Sequence, residues 1–170
     1  MKPEAFLFAE ASCKRTVQCE TEMGKLEKRS ATALPQLVER LLLQGWASIA
    51  IWMSFGLLLE GLLGYKIPAF LEDGQRRELF RLAHTHGTLL SLVLVTAALC
   101  VRLFEIRPPA VAVNALRLGA LLMPLGFLLG GMWHPEGDPG VGIWLVPPGA
   151  LMVIFGAIAI ALASRKTATQ

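Results

Sequence analysis

Residues 82–104 read LAHTHGTLLSLVLVTAALCVRLF, a run of 23 positions without an acid and with one guanidinium, Arg102, close to its end. At a rise of about 1.5 Å per residue, a helix of this length covers the roughly 30 Å of a bilayer's hydrocarbon. The apolar residues do not alternate with polar ones, so the run does not suit a barrel strand. It predicts a membrane-spanning helix, and the rest of the chain repeats the pattern.

On the N-terminal side lies WASIAIWMSFGLLLEGLLGY, 46–65, interrupted only by Glu60 and aromatic at both ends, as suits the interfaces. On the C-terminal side, EIRPPA forms a hinge, because Pro108 and Pro109 cannot continue a helix. Two further runs follow, at 111–133 and 141–163. Pro124 sits mid-span in the first of these, where a kink is expected. Pro147 and Pro148 sit about two turns into the second, so its leading end is expected to be a separate short piece. The whole chain is 54% hydrophobic and 17% charged, against roughly a quarter charged in soluble domains. The expected fold is an all-α integral membrane protein: a four-transmembrane-helix bundle over 39–166, preceded by an amphipathic or disordered cytoplasmic segment, 1–38, and followed by the tail 167–170.

The leader mixes charges of both signs and has no apolar run long enough for a signal peptide. Glu10 breaks the pattern that a lipid-attachment site before Cys13 requires, and MGKLEKRS from Met23 reads as an alternative start. From LPQLVERLLLQGW the spacing becomes helical, with Pro35 suited to a first turn, which predicts a lead-in along the membrane surface. Cys13, Cys19 and Cys100 show no C-x-x-C spacing, so neither a disulfide nor a cysteine metal site is expected.

Lysines and arginines near the span ends set the orientation. Lys28, Arg29, Arg40, Arg102, Arg107, Arg117, Arg165 and Lys166 fall on one side; Lys66, Arg76, Arg77 and Arg81 fall on the other. The excess predicts a bacterial-type inner-membrane protein with both termini in the cytoplasm. The net charge of +3 then reflects this asymmetry and requires no nucleic acid.

That topology puts all three histidines, His84, His86 and His134, at the outer side, with Glu60 in the outer third of the first span. Helical steps from His84 reach Thr88, Ser91, Val95, Ala98 and Arg102, the most polar stripe of its span, so His84 is expected to face the bundle interior. His86 lies about 200° around the helix from it, so the two share a site only if Gly87 makes the backbone irregular; EDGQRRELFRLAHTHG, 72–87, also reads as a continuous helix capped by Asp73, which turns His86 to a neighbouring helix, headgroups or a second subunit. Steps back from His134 give Gly130, Gly126, Met123 and Gly119, a small-residue face on which a helix or a flat ligand can lie. Ionisable groups in membranes are costly and mark sites, and imidazole is both a metal ligand and a proton carrier. The expected function is therefore a histidine-lined outer pocket that binds haem between His84 and His134, or a transition metal held by His84, His86, His134 and Glu60, for electron transfer. Arg77 or Arg81 would pair with a propionate or an anionic substrate.

Other readings compete with this one. A non-catalytic assembly or scaffolding subunit would leave the histidines in the interface, where they meet water and headgroups. Proton or quinone handling needs no resident cofactor. Gly142, Gly149, Gly156 and Ala163 recur every seven residues and predict a helix-packing seam, in a homo-oligomer or larger membrane complex. HPEGDPG, 134–140, reads as a turn rather than a calcium site, and no phosphate loop, nucleophile elbow or dinucleotide fingerprint occurs. The segment AHTHG, 83–87, resembles the paired histidines in helices of haem-copper oxidases and nitric oxide reductases, over these five residues alone.

Overall fold

The computed structural model describes residues 35–135 and 138–168. Most of the leader, with Cys13, Cys19, Lys28 and Arg29, lies outside the described residues, as do Glu136 and the last two positions of the tail. The chain divides into two compact units, Met1–Leu37 and Val38–Gln170, and the packing below is that of the second.

Helix α1 spans Pro35–Gly64, and α3 spans Gly74–Leu103. Between them lies the single-turn α2, Pro68–Leu71. Helix α4 runs Ala110–Met132, a 3₁₀ helix, η1, covers Val141–Leu145, and α5 covers Val146–Ala168. The protein is a bundle of four helices long and apolar enough to cross a membrane, with no strand among the described residues. The separate leading piece expected before Pro147 is η1. The mid-span Pro124 lies buried within α4.

α1 and α3 each have 30 residues, more than the expected spans, because the lead-in from Pro35 joins α1 and because α3 starts at Gly74. At about 1.5 Å per residue each reaches about 45 Å, so part of each projects beyond the hydrocarbon or the helix tilts.

The helix ends follow from particular residues. Asp73 caps α3, its Oδ1 accepting from the Arg76 N–H at 2.9 Å. Helix α1 closes in a Schellman arrangement: Lys66 N–H donates to the Leu63 carbonyl and Ile67 N–H to the Leu62 carbonyl, each at 3.1 Å. Lys66 takes the left-handed φ of 54° that this motif requires, and Glu105, after α3, has a φ of 50°.

Two kinds of glycine contact hold the bundle. Between α1 and α3 the packing is reciprocal: the Trp52 ring of α1 lies on Gly87 of α3, and the His84 ring of α3 lies on Gly56 of α1. A Cβ on either glycine would occupy the space of the ring. Between α4 and α5 the backbones themselves approach. A Cβ on Gly119 would stand 2.5 Å from the Gly149 carbonyl oxygen, and one on Gly156 would stand 2.8 Å from that of Ala112. The seven-residue seam of α5 thus meets the small-residue face of α4, which serves helix packing. α4 lies between α3 and α5, with Leu116, Val113 and Ala112 buried.

Candidate functional site

For direction, the end of the bundle bearing α2 is called the α2 end. All three histidines lie in the half toward it, on α3 and just beyond α4.

His84 faces α1, as the polar stripe predicts, and Ser91, Val95 and Ala98 below it are buried. Arg102, the last member of the stripe, is exposed at the opposite end. The Nδ1 of His84 lies 2.8 Å from the backbone carbonyl oxygen of Trp52. A carbonyl only accepts, so Nδ1 carries the proton and donates it, and the lone pair of a neutral ring is left on Nε2. Trp52 is placed by its ring on Gly87 and by an edge-to-face contact with Phe55, centroids 5.9 Å apart. Phe55 in turn meets Phe80 of α3 at 5.6 Å. The ring orientation of His84 is thus fixed by two helices.

His84 lines a cavity of about 730 Å³ between α1 and α3. Its α1 wall is Met53, Gly56, Leu57, Glu60 and Leu63, at helical spacings; its α3 wall is Arg77, Arg81, His84 and Thr85; Phe70 of α2 closes the end. The walls are mainly apolar, and charge collects toward the α2 end. Arg77 donates one N–H to the Leu71 carbonyl oxygen at 3.0 Å, leaving the rest of its fork available. Arg81 is exposed, with a 3.4 Å contact to Glu78 that contributes little. Thr88 Oγ1, one turn further along α3, is buried without a hydrogen-bond partner.

The structure brings Glu60 and His84 to this one cavity and puts the other two histidines elsewhere. His86 faces α4, its ring 5.0 Å from that of Phe127 and its Nδ1 2.9 Å from the Leu82 carbonyl oxygen one turn back. The continuous helix through Gly87 turns it away from His84. His134 lies at the start of α3, with Nε2 3.0 Å from Asp73 Oδ2 and Nδ1 3.0 Å from the Pro135 carbonyl oxygen. Asp73 and His84 are 11 residues apart on α3, or about 16 Å along its axis. The expected pairing of His84 with His134 across one ligand is therefore not formed. Nor does the set His84, His86, His134 and Glu60 assemble: no group of three or more histidine, cysteine or acidic side chains gathers at a metal-holding distance among the described residues.

The Asp73 cluster was only partly legible in the sequence. Its capping role was, but its partners were not. Arg76 donates from Nε to the Gly131 carbonyl oxygen at 3.2 Å and approaches Asp73 at 3.5 Å. The N–H of Arg76 holds the Asp73 carboxyl below its ordinary value of 3.8; the nearby His134 and the Arg76 guanidinium act in the same direction, against partial desolvation. A second missed pair lies near the opposite end. Gln44 Nε2 donates to the Arg117 carbonyl oxygen at 2.9 Å, and Arg117 Nε donates to Gln44 Oε1 at 2.7 Å. Arg117, expected as a surface anchor, ties α1 to α4.

Fold and groove together define the class: a multi-span helical membrane bundle with a histidine-lined groove between its first and third helices. Comparison with protein-family models, with curated proteins and with solved structures finds no match for this chain.

Proposed function

We propose that the α1–α3 groove holds a haem-type macrocycle: His84 Nε2 would ligate its iron, Arg77 and Arg81 would pair with its carboxylates, and the group would supply electron transfer within the membrane. The observation that carries this reading is the 2.8 Å contact from His84 Nδ1 to the Trp52 carbonyl. An imidazole anchored at one nitrogen by a carbonyl presents the other as an oriented ligand. A macrocycle brings its own four nitrogens and asks one or two ligands of the protein. A bare ion asks three or four, which the groove does not gather. The groove volume of about 730 Å³ lies within the roughly 300–1,000 Å³ range of cofactor sites.

One feature favours a second reading. Met53, Leu57 and Leu63, on the α1 wall, are among the residues exposed on the bundle surface, so the groove opens sideways toward lipid. A membrane-soluble quinol enters by that route, and Nε2 accepts a hydrogen bond from its hydroxyl. As for orientation, the lysine and arginine excess supports termini in the cytoplasm of a bacterial inner membrane, with the groove on the outer side. The spans of α1 and α5 are only 17% and 11% buried, which leaves faces for lipid, a second copy or a larger complex.

Purification in mild detergent followed by haemin titration tests the reading. A saturable Soret band is expected, lost in His84→Ala and weakened when Arg77 and Arg81 are both changed to Gln. Equal haemin binding by His84→Ala contradicts it. Saturable binding of a quinol analogue, sensitive to His84→Ala and without haemin binding, installs the second reading. Binding of neither leaves the scaffolding role.

A further inference from the structure

We propose that Arg117 of α4, with Arg40 of α1, binds the phosphate of an anionic phospholipid at the end of the bundle opposite α2. The site shares no residue with the α1–α3 groove and stands whether or not that groove holds haem.

Arg117 is a charge inside a span with most of its donors unused. Helix α4 begins at Ala110, so Arg117 lies about 10 Å along an axis of about 35 Å. Centred in roughly 30 Å of hydrocarbon, that position is below the headgroups. A guanidinium keeps its charge there and offers five N–H groups. One of them, on Nε, goes to Gln44 Oε1 at 2.7 Å, while Gln44 Nε2 returns a bond to the Arg117 carbonyl oxygen at 2.9 Å. The N–H groups of the two terminal nitrogens have no acceptor among the described residues, and Arg117 takes part in none of their ion pairs. A charge in that position is costly, and an anion relieves the cost.

The fork is also aimed and within reach. The two bonds with Gln44 close a ring that fixes the plane of the guanidinium, so its terminal N–H groups point away from Gln44 as a preset pair of donors. Among the described residues only the Thr88 hydroxyl is sealed from the surface without a partner, so these nitrogens reach the outside of the bundle. Helical side chains lean toward the N-terminus of their helix, and α1 and α4 both start at the end opposite α2. Arg117 therefore extends toward the headgroups of that end. Arg40 stands one turn before Gln44 on the same flank of α1, exposed and without a partner among the described residues. Glu39 lies about 140° around α1 from Gln44, and Glu105 lies in the connection between α3 and α4. Two cations on one flank suit a phosphodiester, the anion that a bilayer itself supplies at this level.

Lipid titration of the full chain, purified in mild detergent and read by native mass spectrometry, tests the site. Dioleoylphosphatidylglycerol is compared with dioleoylphosphatidylcholine, and the affinity ratio is taken within each variant, so a change in stability cancels from it. With about fivefold from each arginine, wild type is expected to prefer the anionic lipid by about 25-fold. Arg40→Gln is expected to lose about fivefold of this preference, Arg117→Gln at least as much, and Arg117→Lys, which keeps the charge without the fork, to fall between Arg117→Gln and wild type. Arg165→Gln, at the end of α5, is expected to keep the wild-type ratio. A wild-type ratio near one, a ratio kept in Arg117→Gln, or an equal loss in Arg165→Gln overturns the site. Displacement of the lipid by inorganic phosphate assigns the fork to a soluble anion and overturns the lipid. An oligomer lost in Arg117→Gln with the lipid ratio unchanged gives the guanidinium to a second copy, and overturns it as well.

Discussion

His84 is held by one hydrogen bond and one missing methyl group. Its ring occupies the place a side chain at position 56 would take, as the Trp52 ring does at position 87. Gly56→Ala and Gly87→Ala should each destabilise the bundle by about 1–3 kcal/mol through overpacking, measurable as a lower unfolding midpoint in detergent and denaturant. Lys66 works in the opposite sense. It sits at φ 54° in the turn closing α1, where a β-carbon costs roughly 1–2 kcal/mol. Lys66→Gly should therefore raise the same midpoint. The lowered Asp73 carboxyl has a defined sign as well. Its contribution to stability is present above the ordinary carboxylate value and is lost as pH falls through the folded one. Asp73→Asn should flatten the acid limb of a stability-against-pH curve. At this scale the sequence revealed donors better than partners. The inward phase of His84 and the cap at Asp73 are properties of one helix and could be read from spacing. The Trp52 carbonyl could not, since every residue has one, and neither could the contact from Asp73 to His134, 61 positions away.

The elements were legible where a single helix explains them. The seven-residue recurrence of glycine along η1 and α5 predicted close pairing, and the structure supplies the partner face, Gly119 and Gly126 on α4. At Gly149 a Cβ would lie 2.8 Å from the Met123 backbone nitrogen. Because backbone cannot yield as a side chain does, Gly149→Val should separate α4 from α5 and lower the unfolding midpoint more than Leu151→Val, a change on the exposed face. The same comparison explains a difference from expectation. The face stepping back from His134 offered room for a flat ligand, but α5 fills it. Flat space is found instead beside α1, where glycines receive rings rather than backbone. Helix lengths were underestimated at α1 and α3 because hydropathy marks the hydrocarbon-compatible stretch, whereas caps such as Asp73 mark the helix.

At the scale of the molecule, class and span number follow from composition and run length, since few soluble folds leave Leu57, Leu151 and Trp144 so exposed. Convergence of the histidines is a tertiary matter, and only one of the three reaches the groove. That difference changes the chemistry from a ligand pair to a single oriented imidazole, with guanidinium groups toward the α2 end. The account therefore depends on which nitrogen of His84 carries the proton. Imidazole ¹⁵N chemical shifts of His84, measured in detergent on the alkaline side of imidazole titration, test this most directly. The account predicts a protonated Nδ1 bonded to the Trp52 carbonyl and a bare Nε2; a protonated Nε2 with a bare Nδ1 would contradict it.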